Sequence, residues 1–226
     1  MTAMPQNVRF VFFDVGNTLL FANRPRILEP LQQRNISPTE ELLRKLEGEV
    51  KNKFDDIVEY GGKADHSFWD MFYARLFEEL GQDDEGLRQQ LISNTRNSAN
   101  WDQLRPGTLE GLAQIRKKYQ TAVISNADGK IAEVLARCGI ADGFLTITDS
   151  GIVGREKPDP VIFEIALKSV SARAEQSLYV GDVYSVDYRG ATGAGMQAVL
   201  FDVPGAYREK GLPRVESLEE LAGMIG

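Results

Sequence analysis

The sequence predicts an α/β protein with a doubly wound parallel sheet, of the Rossmann-like kind, and an inserted α-helical domain. Short apolar runs rich in β-branched and aromatic residues alternate with segments of helical periodicity, as in sheets whose strands are buried on both faces. One long stretch, residues 23–100, has helical patterning alone. The 226 residues are enough for one core domain and a smaller insertion.

Five apolar runs are expected to form the strands, at residues 8–13, 121–124, 144–148, 178–180 and 197–201. Helices are expected between and beside them at 108–118, at 129–138, and from Pro160 onward with Asp159 as its N-terminal cap. A further helix is expected at 184–194, ending before Gly195. This repeated alternation of strand and helix is typical of a doubly wound sheet.

The stretch from residue 23 to 100 is expected to be a helical cap domain inserted after the first strand. Its helical segments are 26–34, 39–60, 67–80 and 85–96. Aromatic residues cluster there: Phe54, Tyr60, Phe68, Trp69, Phe72, Tyr73 and Phe77. We interpret them as a small hydrophobic core. The predicted domains are therefore 1–22 with 101–226 as the core, and 23–100 as the cap.

Composition restricts the possible partners and location. The formal net charge of −7 argues against a nucleic-acid partner, since phosphate backbones favour basic surfaces. No run approaches the roughly 18–20 apolar residues of a transmembrane helix. Cys138 is the single cysteine, which excludes an internal disulfide, and the first residues carry no apolar signal run. We expect a cytoplasmic protein with no membrane partner, as a monomer or homodimer.

Candidate functional residues follow the predicted strands. Ligands of doubly wound sheets bind beyond the carboxyl ends of the strands. The residues at those positions, with a cationic turn that precedes the fourth strand, are Asp14, Gly16, Asn17, Thr18, Ser125, Asn126, Lys157, Asp182 and Asp187. We expect them to converge on one site.

These residue types suit a phosphate and a metal ion. Asp14, Asp182 and Asp187 would repel one another, and a bound Mg²⁺ would keep them ionised. Lys157 supplies positive charge for phosphoryl oxygens, and Ser125 supplies a hydroxyl donor. The turn from Gly16 to Thr18 offers backbone N–H groups to an anion. An aspartate beside a metal and a lysine is the arrangement needed for an aspartyl-phosphate intermediate on Asp14.

Four segments, in this order, resemble the four motifs of the haloacid dehalogenase-like superfamily. They are FFDVGNTLL at 12–20, VISNAD at 123–128, KPDPVIF at 157–163 and YVGDVYSVDYRGATGAGM at 179–196. The match spans nearly the whole chain. The long interval between the first two motifs is typical of members whose helical cap follows motif I. The resemblance implies a hydrolase, and most readily a phosphatase of small phosphorylated metabolites.

The resemblance also implies individual roles. Asp14 would be the nucleophile, Ser125 would hold the transferring group, and Lys157 would neutralise charge. Asp187 would support the metal's waters or the lysine. The implied Mg²⁺ ligands are Asp14, the main-chain carbonyl of Gly16, and Asp182. Asn17, Thr18 and Asn126 are expected to bind the substrate.

Gly16 departs from the pattern of the superfamily's phosphatases. That position usually holds a second aspartate, which protonates the leaving group and then activates water, work typically worth about 10²–10⁴-fold in rate. Gly16 can do neither, although glycine would suit a tight turn with positive φ. A residue of the cap could replace the acid, with Glu59, Asp65 and His66 as candidates. Otherwise, leaving groups that need little protonation, such as aryl or acyl, would be favoured.

Two alternatives remain open. A 2-haloacid dehalogenase also lacks the second aspartate, because a halide leaves without a proton. That branch uses no metal, however, and Asp182 with Asp187 would place unneutralised carboxylates where an anionic substrate must bind. A non-catalytic member that binds a phosphorylated ligand is the other alternative, although such a protein need not keep Asp14, Lys157 and Asp182 together.

Overall fold

Six parallel strands form the central sheet in a computed structural model that describes residues 5–60 and 67–226. The strands in chain order are β1 (Phe10–Phe13), β2 (Phe21–Ala22), β3 (Trp101–Gln103), β4 (Gln120–Ser125), β5 (Phe144–Asp149), β6 (Ser177–Gly181), β7 (Gln197–Phe201) and β8 (Arg214–Val215). The order across the sheet is β5-β4-β1-β6-β7-β8. The short strands β2 and β3 pair antiparallel in a separate ribbon.

The five predicted strands are confirmed as β1, β4, β5, β6 and β7, with ends that differ by no more than two residues. The sequence did not predict β2, β3 and β8. Each of these has only two or three residues, which is too short for an alternating pattern to appear.

Helices cover both faces of the sheet, as a doubly wound topology requires. In the second half of the chain they are α6 (Thr108–Arg116), α7 (Ile131–Arg137), α8 (Ser150–Val153), α9 (Pro160–Ser169), α10 (Arg189–Gly193) and α11 (Leu218–Ile225). Apolar residues of α6, α7 and α11 share one buried cluster with one face of the strands. Those of α9 and α10 share a second cluster with the opposite face.

Helix α9 begins as the sequence predicts. The Asp159 side chain accepts a hydrogen bond of 2.9 Å from the backbone N–H of Val161, and Pro160 occupies the first position. The predicted helix at 184–194 is different: a π-helical turn at Tyr184–Tyr188 precedes α10. There the carboxylate of Asp187 accepts from the backbone N–H of Val183, a local bond that competes with regular helical pairing. Gly195 follows with φ +80°.

Five helices of the first half pack around a hydrophobic core of their own. They are α1 (Arg24–Ile27), α2 (Glu29–Gln32), α3 (Glu40–Glu59), α4 (Ser67–Leu80) and α5 (Glu85–Arg96). The prediction of one helix at 26–34 is wrong, because α1 and α2 are separate. Pro30 has no N–H to continue a helix through this point. None of the helices in the described residues is both long enough and apolar enough to span a membrane.

Candidate active site

The sheet order brings the polar residues of three strands to one edge. Strand β1 lies between β4 and β6, and Phe13 is in register with both Val123 and Val180. Asp14 therefore follows β1 beside Ser125, at the end of β4, and close to Asp182, which follows β6. The fold class predicts that these residues converge. In the structure, all three line one cavity.

Lys157 is the centre of a buried polar cluster. Its ammonium Nζ lies 2.7 Å from Asp14 Oδ1, 2.7 Å from Asp187 Oδ1 and 2.8 Å from the hydroxyl of Tyr179. The Tyr179 hydroxyl lies 3.0 Å from the carbonyl oxygen of Ile124, to which it can donate. One cation thus holds Asp14 and Asp187 together in a buried cluster.

Asn126 holds the backbone of Lys157. The Asn126 amide donates to the carbonyl of Lys157 at 3.0 Å, and its oxygen accepts from the N–H of Lys157 at 2.8 Å. This two-bond contact fixes the start of the lysine side chain. Asn126 also lines the cavity, and the expectation that it binds the substrate stays a prediction.

Asp14, Asp182 and Asp187 form an acidic group that could hold a metal ion. All three are buried, and one carboxylate oxygen from each lies within 4.8 Å of the others. Burial raises the pKa of Asp14 to about 7, since the charge of Lys157 only partly offsets burial and the repulsion of the other two carboxylates. Burial likewise raises the pKa of Asp182. A divalent cation would relieve both effects, and hard oxygen ligands suit Mg²⁺ or Ca²⁺.

A second buried lysine comes from the helical segment. Lys51 of α3 is fully buried, and its Nζ lies 2.7 Å from Asp182 Oδ2 and 3.3 Å from Glu47 Oε1. The amide of Asn17 donates to the same two carboxylates at 3.2 Å. One turn further along α3, Asp55 accepts from the backbone N–H of Ser185 at 2.9 Å. Helix α3 is therefore joined to the loop after β6 by polar contacts.

Sequence reasoning missed Lys51. Glu47 and Lys51 are spaced as an i, i+4 ion pair, a pattern that most often lies on the solvated face of a helix. The available signal was that Glu47, Lys51 and Asp55, at spacings of four, share a face with the apolar residues of α3. Such a polar stripe within a buried face indicates contact with another polar surface.

The turn after β1 departs from expectation at Gly16. The residue with positive φ is Asn17, at +53°, while Gly16 lies outside the left-handed region. The tight turn expected at Gly16 and Asn17 is present, but its positive φ is at Asn17 and not at the glycine. What lies beside Gly16 is the ring of Trp101, whose nearest carbon would be 3.4 Å from an added Cβ. Thr18 is fully buried and does not line the cavity, and its hydroxyl has no hydrogen-bond partner among residues 5–60 and 67–226.

The cavity beside these residues has a volume of about 560 Å³, within the ordinary range for small-molecule sites. One wall of this cavity is aromatic and consists of Phe54, Phe68, Trp69 and Trp101. The interpretation of the aromatic residues as a core is confirmed for Phe72, Tyr73 and Phe77. Phe68 and Trp69 pack against the same cluster and Phe54 is buried, whereas Tyr60 is 91% exposed.

The candidates for a substitute acid receive no support among the described residues. Glu59 is exposed and does not line the cavity. Asp65 and His66 lie outside the described residues, so their candidacy stays a prediction.

The family model for haloacid dehalogenase-like hydrolases matches residues 8–195. The chain belongs to this family. Among curated relatives of the hydrolase, a glyceraldehyde 3-phosphate phosphatase of Methanothermobacter thermautotrophicus is 33% identical over 85% of each chain. The haloacid dehalogenase-like hydrolase domain-containing protein 3 of Bos taurus is 27% identical over 87% of this chain and 83% of its own.

Solved structures agree on the fold of the hydrolase. The putative hydrolase YfnB of Bacillus subtilis, described as bound to magnesium, aligns with a TM-score of 0.72 over 97% of this chain and 99% of its own. The two sequences are 20% identical, so the likeness concerns the fold alone.

Replacing Lys51 by methionine is expected to lower the free energy of unfolding by about 3–5 kcal/mol, because Asp182 would keep a buried charge without its cation. Urea denaturation in the absence of divalent ions measures this change. Lys53→Met, on the exposed side of the same helix, is the matched control and should change stability by no more than about 0.5 kcal/mol. A loss below about 1 kcal/mol for Lys51→Met would contradict this account.

Gly181→Ala should destabilise the hydrolase by about 1–3 kcal/mol, since the added Cβ would lie 2.5 Å from Asp187 Cγ and push that carboxylate off Lys157. Gly193→Ala is the control, because no atom of the residues that the structure describes lies within 4 Å of its added Cβ. Thermal unfolding compares the two variants. Equal stability in both would mean that Asp187 is not held as tightly as described.

Proposed function

We propose that this hydrolase is a Mg²⁺-dependent phosphatase of small phosphorylated molecules, with Asp14 as the nucleophile. The observation that carries the proposal is the position of Lys157, whose Nζ joins Asp14 and Asp187 at 2.7 Å within a buried cluster. The glyceraldehyde 3-phosphate phosphatases among its relatives support the same substrate class. The helical segment 23–100 would act as the cap over this site.

In the proposed reaction, an oxygen of the Asp14 carboxylate attacks phosphorus in line with the leaving oxygen. The ammonium of Lys157 holds the nucleophile in place and neutralises charge on the phosphoryl oxygens. The hydroxyl of Ser125, which lines the cavity, donates to the same phosphoryl group. Water then hydrolyses the aspartyl phosphate and regenerates Asp14.

The carboxylates of Asp14 and Asp182, with the carbonyl of Gly16, would hold the Mg²⁺. The ion supplies positive charge for the phosphoryl oxygens and keeps the buried carboxylates ionised. Asp187 accepts from Lys157 and from the backbone N–H of Val183. It would therefore orient the lysine rather than contact the substrate.

The absence of a carboxylate at Gly16 should slow the second half of the reaction more than the first. Hydrolysis of the aspartyl phosphate needs a base to activate water, and Gly16 has no side chain to supply one. We therefore propose that the phosphoenzyme accumulates during turnover.

A 2-haloacid dehalogenase remains the second candidate, because a halide can leave a site that has no acid at position 16. The charges of the site disfavour it. Even with Arg24, which pairs with Glu47 at 3.7 Å, the three cations of the site are fewer than its four carboxylates, so an anionic haloacid would enter a net negative site. A phosphate ester that arrives with Mg²⁺ avoids this repulsion.

Phosphate release from p-nitrophenyl phosphate should require Mg²⁺ and should fall at least about 10³-fold in Asp14→Asn. Asp83→Asn, an exposed position of the helical segment, is the matched control and should behave as wild type. Turnover that survives in Asp14→Asn would refute this nucleophile. No turnover in wild type would reject the phosphatase, and halide release from 2-halo acids would then test the dehalogenase.

Acid quenching during steady-state turnover of a ³²P-labelled ester should trap a covalent phosphate on the wild-type chain, and none on Asp14→Asn. The expected amount is a large fraction of the enzyme, since the adduct forms faster than it is hydrolysed. Turnover with no trapped adduct would show that dephosphorylation does not limit the rate.

A further inference from the structure

The side of Gly16 where an acid would project is covered by a carbon surface. An added Cβ would lie 3.4, 3.6 and 3.9 Å from three atoms of the six-membered ring of Trp101. A Cβ alone would be in van der Waals contact, and a carboxylate beyond it would have to displace the ring or turn away. The glycine is not required by the backbone, since its φ is not positive. Gly16 and Trp101 thus form one feature, in which an aromatic ring stands beside the reacting centre in place of a proton donor.

The ring of Trp101 is held in this position from two sides. Its indole N–H donates to the carbonyl of Thr95 at 2.7 Å. The ring of Trp69 packs against it with centroids 5.7 Å apart and an interplanar angle of 58°. The backbone of Trp101 belongs to β3, which pairs with β2. A ring fixed in this way presents a constant surface to a ligand.

Trp101 is one end of a continuous aromatic wall. Trp69 contacts Phe68 with centroids 4.9 Å apart, and Phe68 contacts Phe54 at 5.8 Å, both edge to face. All four rings line the cavity that contains Asp14. Such rings favour stacked or edge-to-face contact with another ring. The part of a substrate that extends from phosphorus toward the cap would therefore meet aromatic carbon.

The acidity of the leaving group also favours a substrate whose leaving group is aromatic. Without a proton donor at position 16, the leaving oxygen must depart as an anion, so its basicity sets the barrier. A phenol has a pKa of about 10, and water, which resembles an alkyl hydroxyl, has one of about 16. An aryl oxide is thus the better leaving group by several powers of ten.

We propose that the hydrolase acts on aryl phosphates, with the aromatic leaving group packed against Trp101 and Trp69. This inference rests on the proposed phosphatase function. The Asp14 carboxylate forms a bond to phosphorus as the bond from phosphorus to the aryl oxygen breaks. The aryl oxide keeps the electron pair and takes a proton from water. Water then cleaves the aspartyl phosphate, so the products are a phenol and inorganic phosphate.

Three esters separate recognition of the ring from reactivity of the leaving group. They are phenyl phosphate, hexafluoroisopropyl phosphate and glyceraldehyde 3-phosphate. The second has a leaving alcohol of acidity similar to phenol but no ring, and the third is the alkyl ester in the name of the archaeal relatives. With wild-type hydrolase and Mg²⁺, kcat/KM for phenyl phosphate should exceed that for hexafluoroisopropyl phosphate by about 10-fold. It should exceed that for glyceraldehyde 3-phosphate by at least about 100-fold.

Variants test whether the two tryptophans are responsible. Trp101→Leu and Trp69→Leu should each raise KM for phenyl phosphate several-fold, and each should lower the ratio of kcat/KM for phenyl phosphate to that for hexafluoroisopropyl phosphate. Phe144→Leu replaces an aromatic residue of β5 that does not line the cavity, and it should leave both esters unchanged. The chain has two tryptophans, and both line this cavity. Quenching of intrinsic fluorescence by phenol therefore measures binding there without turnover.

The outcomes distinguish this inference from the function on which it rests. Equal kcat/KM for phenyl and hexafluoroisopropyl phosphate, or glyceraldehyde 3-phosphate as the best of the three, would overturn the aryl proposal and leave the phosphatase intact. Hydrolysis of none of the esters beyond the level of Asp14→Asn would remove the phosphatase and the aryl proposal together. A preference for phenyl phosphate that is lost in Trp101→Leu, with phenol quenching in wild type, would support both.

Discussion

Burial of three carboxylates at one edge of the sheet is the constraint on which the rest of the site depends. Asp14 and Asp182 meet because β1 and β6 are neighbours, and Asp187 returns to them from the π-helical turn. Carboxylates in such an interior are stable only with cations and hydrogen-bond donors around them. Lys157 provides the cation within the core, and its own position depends on Asn126 and Tyr179. The residues that surround Asp14 therefore balance its charge as well as shape the site.

The same constraint extends into the helical segment. Lys51 reaches Asp182 from α3, and Glu47 and Asp55 continue the polar contact along that helix. Helix α3 thus takes part in the charge balance of the site and also lines the cavity through Phe54. Lys51 and a metal ion would both neutralise Asp182. Binding of a metal ion and the packing of α3 against the site would therefore both depend on this carboxylate.

The aromatic wall lies beside the position where the family resemblance predicts a second aspartate. Gly16 has no side chain to donate a proton, and the ring of Trp101 lies beside it. The result is a polar floor of Asp14, Lys157 and Ser125 beneath a wall of rings. Under the proposed function, the motif residues would act on phosphorus, and the aromatic wall would select the group attached to it.

The sequence alone determined the fold class, five of the strands, and the residues that follow them. It could do so because buried parallel strands are short apolar runs, and because the carboxyl ends of such strands necessarily meet. It also determined that position 16 has no acid. The break between α1 and α2 could have been predicted from Pro30. The short strands β2, β3 and β8 could not have been predicted, because two or three residues are too few to show an alternating pattern.

Only the tertiary structure decided the roles of Lys51 and Trp101. Residues spaced as an i, i+4 ion pair can face either water or a buried carboxylate. The contact between Lys51 and Asp182 therefore cannot be predicted until the position of the helix is known. Trp101 is distant from Gly16 in the chain, and their contact depends on the path by which the helical segment returns to the core. Local patterns specify what each segment can form. Contacts between distant segments depend on how the segments pack, and packing is a property of the whole chain.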